Sequence, residues 1–175
     1  MRKIPIVYAG SARYALHMKT TTRATALRYE ALPAGLAREA RETLRDRFGH
    51  VLCVVKAQAP CRSCLRISRE PEDLILLSYR PLEDDGPYAE VGPIFIHARA
   101  CEPYAEVETF PPDFLERPLV LRAYDRAGAI FDATVAEPGS APAVASGFLE
   151  DERVAQVHVR HVSYTCYDFR IVRAY

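Results

Sequence analysis

Cysteine and histidine recur in this 175-residue chain at spacings that suit a metal ion. Cys61-Arg62-Ser63-Cys64 is a C-x2-C pair, and His97-Ala98-Arg99-Ala100-Cys101 adds a histidine and a cysteine at H-x3-C spacing. Thiolate and imidazole are the ligands a borderline-soft ion prefers. Cys61, Cys64, His97 and Cys101 would close a Cys3His shell of the structural kind, with no open position for a catalytic water. Zinc is the cofactor this set predicts. The halves lie 32 residues apart and no glycine flanks the first pair, so ordinary cysteines near a core are the competing reading.

A second set is cationic. Arg160 and His158 alternate onto one face of a strand-like run, Arg122 lies in a hairpin strand, and Arg62 sits between the first two cysteines. Arginine grips carboxylate or phosphate through two parallel hydrogen bonds, and a histidine can add a third. Should those strands pair nearby, Arg62, Arg122, His158 and Arg160 form a pocket for a small anionic ligand. Thiol chemistry is the third option: Cys61 or Cys166, beside arginine and histidine, as a thiolate nucleophile. A redox C-x2-C opens a helix after a strand, and Leu65-Arg66-Ile67-Ser68-Arg69 is short of that pattern. The chain contains no G-x-G-x-x-G, P-loop, H-E-x-x-H or G-x-S-x-G.

Composition narrows the class. Apolar residues make up 49% and charged residues 26%, as in a globular chain with a real core. No apolar run approaches the ~20 residues of a membrane span. The opening residues are too short and broken an apolar run for a signal peptide, so the expected location is the cytosol. There the five cysteines would be reduced. Formal net charge is zero but unevenly spread: residues 1–69 carry fourteen Lys or Arg against four acids, and residues 70–116 twelve acids against two Arg. A nucleic-acid domain would show a net basic balance, so pairing of the two blocks across the fold is expected instead. With no Trp and scattered aromatics, there is no stacking platform for single strands.

The elements that must position these residues can be read in order. Tyr14, Leu16 and Met18 alternate like a half-buried strand, and Leu27-Arg28-Tyr29 reads as another. Residues 34–48 form a helix with Leu36, Ala40, Leu44 and Phe48 as its apolar stripe, Pro33 near its start and Gly49 at its end. Residues 51–55 read as a buried strand with Cys53 as a small hydrophobe, and residues 74–79 as a second strand. Glu83-Asp84-Asp85-Gly86-Pro87 is a solvated acidic turn. Residues 119–124 and 129–135 flank a turn as a hairpin. Residues 137–147 read as a loop leading toward a short helix near Phe148. Two closing strands follow, residues 154–162 with Val157 and Val159 on one face, and Tyr167 to Ile171. Together these predict one α+β domain over 1–175, a largely antiparallel sheet of six to eight strands with few helices.

From about residue 60 onward the chain resembles a bacterial family known only as domain of unknown function 1203. The resemblance rests on Pro60-Cys61-Arg62-Ser63-Cys64-Leu65, Leu76-Leu77-Ser78-Tyr79 and the stretch from Pro87 to His97. Leu121 to Asp125, His158-Val159-Arg160 and Cys166-Tyr167 continue it, with His161 and Thr165 where the family often has Asn and Gly. It implies a shared fold and a site around Cys61, Arg62, Arg160 and Cys166, with residues 1–59 as N-terminal additions. It implies no reaction.

Overall fold

The structure, a computed structural model, describes residues 26–83 and 85–174; the strand reading at Tyr14 to Met18 lies outside them. Among the described residues, eight strands and three helices follow in the order β1 (Leu27–Glu30), α1 (Ala34–Thr43), β2 (Val54–Ala57), β3 (Glu72–Tyr79), β4 (Gly92–His97), α2 (Pro112–Leu115), β5 (Leu119–Asp125), β6 (Ile130–Ala136), α3 (Ala141–Leu149), β7 (Val154–His161) and β8 (Tyr167–Arg173). The α+β class holds. The strands form two antiparallel sheets rather than one, β1-β8-β7-β5-β6 and β2-β3-β4. Among the described residues no helix is long and apolar enough to cross a membrane.

Each sheet covers one face with helices. In the larger sheet Leu119, Leu121, Val157, Val159, Phe169 and Ile171 pack against Phe114 of α2 and Ala141, Ala145, Phe148 and Leu149 of α3. Alternation along β5, β7 and β8 therefore sends Arg122, His158, Arg160 and Arg170 to the opposite face. In the smaller sheet Ile75, Leu77, Ile94 and Ile96 pack against Leu36, Ala37 and Ala40 of α1 and against Cys61 and Cys64.

Three elements depart from expectation, each for a local reason. Helix α1 stops at Thr43 because Leu44 turns left-handed at φ 48. The Asp46 side chain then accepts the Phe48 and His50 amides at 2.9 and 3.0 Å, reversing the chain through Gly49 at φ 85. Leu44 and Phe48 consequently face solvent. Side-chain capture of backbone donors overrode the four-residue stripe. Val51 is taken by a bridge to Arg45, so β2 starts at Val54 and Cys53 is exposed rather than buried. The Pro- and Ser-rich segment after β6 holds all of α3, whose alanines allow close approach to the sheet.

Arg62 joins the two sheets. Its backbone N–H donates to Phe95 O at 2.9 Å and its carbonyl accepts the Leu32 N–H at 2.8 Å. Its guanidinium donates from Nε to Tyr167 O at 2.8 Å and from one terminal nitrogen to Pro60 O at 2.7 Å, while the other lies 2.9 Å from Asp168 Oδ1. Both side chains of this ion pair are buried. Removing one partner leaves the other charge stranded in the interior, so Arg62→Leu is expected to cost about 3–5 kcal/mol in urea unfolding. The double change with Asp168→Leu should cost clearly less than the sum of the two single changes; simple additivity would show that the pair is not coupled.

Candidate metal centre and basic cavity

The first cysteine pair sits in a tight turn. Pro60 bridges Ile67, the Cys61 N–H donates to Arg66 O, and the Leu65 N–H returns to Cys61 O, both at 2.9 Å. Closing that turn requires Leu65 at φ 54, a conformation that usually calls for glycine. A buried leucine takes it here, which is why no flanking glycine marks the pair. Cys61 is held against β4 by a parallel bridge to Phe95. His97 is the last residue of β4 and Cys101 follows on the next loop, where Arg41 of α1 donates to His97 O at 2.9 Å and to the Cys101 sulfur at 3.7 Å.

These elements bring Cys61, Cys64, His97 and Cys101 together, their ligand atoms all within 4.8 Å of one another. The Cys61 and Cys101 sulfurs are 3.8 Å apart, and Cys64 Sγ lies 3.5 Å from His97 Nδ1. Zinc bonds of about 2.3 Å to sulfur and 2.0–2.1 Å to nitrogen give a tetrahedron with edges of about 3.8 and 3.5 Å. The pairs already stand at those spacings. His97 Nε2 is 2.8 Å from Glu72 Oε2 at the start of β3. That carboxylate fixes the ring so that Nδ1 faces the sulfurs, the arrangement by which ligating histidines are oriented.

Charge follows the same logic. Hydrogen bonds with Cys101 and Cys61, helped by Arg66, hold the Cys64 thiol well below the ordinary range. The bonds to Cys61 and Cys64 push Cys101 far up. Among the described residues, Cys61, Cys64, His97 and Cys101 are compatible with a structural metal such as zinc.

The arginines meet on the other face of the larger sheet. Arg160 is 3% exposed and lines a cavity of about 170 Å³ with Tyr79, Pro81, Pro93, Tyr164 and Tyr167 among its walls. One terminal guanidinium nitrogen donates to Thr165 O at 3.0 Å, the other is ion-paired with Glu90, and Nε has no partner. Arg122 reaches the same Glu90 oxygen at 3.6 Å. Arg122 and Arg160 therefore converge. His158 lies beneath them, fully buried between the rings of Tyr124 and Tyr167, with Nε2 3.3 Å from Gln156 Oε1 and Nδ1 without a partner. Arg62 is not on this cavity. It touches a neighbouring one of about 430 Å³ that shares Pro93, Tyr164 and Cys166 with the first. Cys166 lines both, with its thiol directed at Tyr164 O, 3.7 Å away.

Glu72, Glu90, Arg41 and Arg66 are additions that spacing alone does not reveal. Glu72 pairs with a residue 25 positions away, and its signal is β3–β4 pairing, in which Leu74 stands opposite His97. Of the ion pairs among the described residues, only Lys56–Asp73 at 3.0 Å links the basic block 1–69 to the acidic block 70–116. Glu90 serves the strands of the C-terminal half instead.

The family described as "Protein of unknown function (DUF1203)" matches residues 58–173. The chain belongs to that family. In this DUF1203 protein the match takes in the whole cysteine–histidine cluster and all four residues of the basic set. No curated protein and no solved structure matches the chain.

Two tests follow from the geometry. Glu72→Gln keeps the shape but weakens the hold on the His97 ring, and zinc affinity measured against a competing chelator should fall about 10–100-fold. Burial, reinforced by Arg160, Arg170 and Arg122, lowers His158 from 6.5 to about 3. Between those values the unfolded chain binds the proton and the folded one does not, so stability rises with pH and is lost as pH falls below about 6.5. At pH 5 that loss is about 2 kcal/mol. His158→Phe retains the ring between the two tyrosines, and its urea-unfolding free energy should fall by correspondingly less than the wild type's between pH 7.5 and pH 5.

Proposed function

We propose that this DUF1203 protein is a binding or accessory domain, stabilised by structural zinc at Cys61, Cys64, His97 and Cys101, that holds a small anionic ligand in the cavity at Arg160. The observation that carries the ligand reading is the state of Arg160: a buried cation on a cavity wall, ion-paired with the Glu90 carboxylate and with Nε unpartnered. A buried charged donor without an acceptor is costly, and an anion in the cavity removes that cost. Arg122, 3.6 Å from the same Glu90 oxygen, adds a second positive charge beside it. Arg62, spent on Asp168 and two carbonyls, supports the wall from behind, and His158 supplies packing beneath it.

A four-ligand shell leaves the metal no position for substrate, so zinc contributes rigidity here and not chemistry. The alternative of a cysteine-dependent enzyme has less support. Cys61 is fully buried among the cluster sulfurs, and the thiol of Cys166 is directed to the Tyr164 carbonyl. His161, across the same turn, makes no hydrogen bond with it, although both line the larger cavity.

Metal analysis and calorimetry test the two halves separately. Protein purified without chelator should carry a single zinc per chain, and acetate or inorganic phosphate should bind in a salt-sensitive manner. Arg122→Gln should weaken that binding about tenfold. Zinc-free protein of unchanged stability would overturn the metal assignment, and the absence of heat with every small anion would overturn the pocket.

A further inference from the structure

Resting on the anion-pocket reading, we infer that the ligand of the Arg160 cavity is a ring-sized monocarboxylate and that Glu90 is its internal competitor. The Glu90 carboxylate already occupies the position such a ligand would take. It contacts one terminal nitrogen of Arg160 as an ion pair and stands 3.6 Å from Arg122. It does so from the solvent side, with its side chain 43% exposed against 3% for Arg160. It also leaves Nε of the guanidinium unpartnered. The other terminal nitrogen is tied to Thr165 O, so the edge that remains for a guest is the one formed by Nε and the nitrogen facing Glu90. That edge has the geometry for a carboxylate to accept two parallel N–H bonds, which Glu90 reaching in from outside does not achieve.

Net charge and walls define the rest of the guest. Arg122, Arg160 and a displaced but nearby Glu90 sum to one positive charge, which matches a monoanion better than a phosphate dianion. Tyr79, Pro81, Pro93, Tyr164 and Tyr167 give the cavity largely apolar and aromatic walls. A cavity of about 150 Å³ accepts a benzene ring, and this one is about 170 Å³. Tyr79 and Tyr167 stand with ring centroids 5.4 Å apart at a tilt, one from each sheet, and so present aromatic surface to a flat guest.

Benzoate is the probe, with its neutral counterpart benzamide and with inorganic phosphate as controls, titrated calorimetrically into the zinc-loaded protein and into Glu90→Gln. Glu90 approaches from the solvent side and lies outside the core, so the variant should fold, and a thermal melt with Glu90→Ala as a second variant verifies that. Benzoate should bind the wild type weakly and Glu90→Gln at least tenfold more tightly, while benzamide binds neither. Phosphate binding without benzoate binding would overturn the monocarboxylate inference and leave the anion pocket standing. Equal benzoate affinity for wild type and both variants would overturn the role of Glu90. No binding of benzoate or phosphate to any of the three proteins would overturn this inference and the pocket together.

Discussion

The salt bridge between Arg62 and Asp168 is the constraint around which the rest is arranged. A guanidinium and a carboxylate this deeply buried lose far more hydration than most contacts return, so their geometry is tolerated only if every donor is used. Arg62 goes part of the way: each of its three nitrogens faces an oxygen, of Tyr167, Pro60 or Asp168, while the Asp168 carboxylate gains the ion pair without a hydrogen bond. Burial still pushes the Asp168 carboxyl up to about 6, against the pull of Arg62, Arg117 and Arg160. Such a pair contributes placement more than net stability: it allows one relative position of the 60–67 turn and β8.

Placement matters because Arg62 lies between Cys61 and Cys64, two members of the cysteine–histidine cluster that is compatible with a structural metal. Cys61 and Cys64 belong to the core under the smaller sheet, together with Ile75, Leu77, Ile94 and α1, whereas the Arg62 side chain crosses to the larger sheet. The turn thus faces two ways. Its thiols close the cluster with His97 and Cys101, and its guanidinium fixes the backbone of Tyr167, which walls the Arg160 cavity. The β7–β8 pairing carries a register shift beside Arg160, opposite Tyr167. An irregularity of that kind re-aims side chains, and here it lies where Arg62 docks.

Legibility in the sequence followed how local each signal is. The four cluster ligands could be named because C-x2-C and H-x3-C are patterns within single turns, and because few other residue types bind soft ions. Glu72 could not, since the carboxylate that orients His97 belongs to a different strand and carries no motif. Arg122 and Arg160 were readable as cations on alternating faces, but their common partner Glu90 was not. It stands in an acid-rich stretch in which solvated tips are the usual outcome, and only the folded hairpin brings it over β5 and β7. The helix ends at Thr43 for a related reason: the apolar repeat at Leu44 and Phe48 is genuine, yet Asp46 accepts the amides of Phe48, His50 and the distant Ser78 and stops it. In α3 composition misled, because Pro, Gly, Ser and Ala mark loops on average and also suit a short helix pressed flat on a sheet.

The cysteine–histidine cluster and the Arg160 cavity differ in character, and Arg62 lies between them. A shell of three sulfurs and one nitrogen closed on a metal would have no vacancy for a reactant, and what it would supply is a fixed turn at Cys61 to Cys64. The Arg160 cavity has the opposite character: a buried cation with an unsatisfied donor, aromatic walls, and a carboxylate of the chain's own standing at its mouth. An unsatisfied group of that kind is unfavourable in the free protein and becomes favourable when a guest arrives, which is how a binding site differs from a structural ion pair. Holding such a group in place requires a rigid wall behind it. The wall here is Tyr167, and Tyr167 is fixed by the residue that the metal-binding turn presents. The cysteine–histidine cluster and the Arg160 cavity are thus coupled without touching, through one arginine whose backbone belongs to the Cys61–Cys64 turn and whose side chain holds the Tyr167 carbonyl behind the cavity wall.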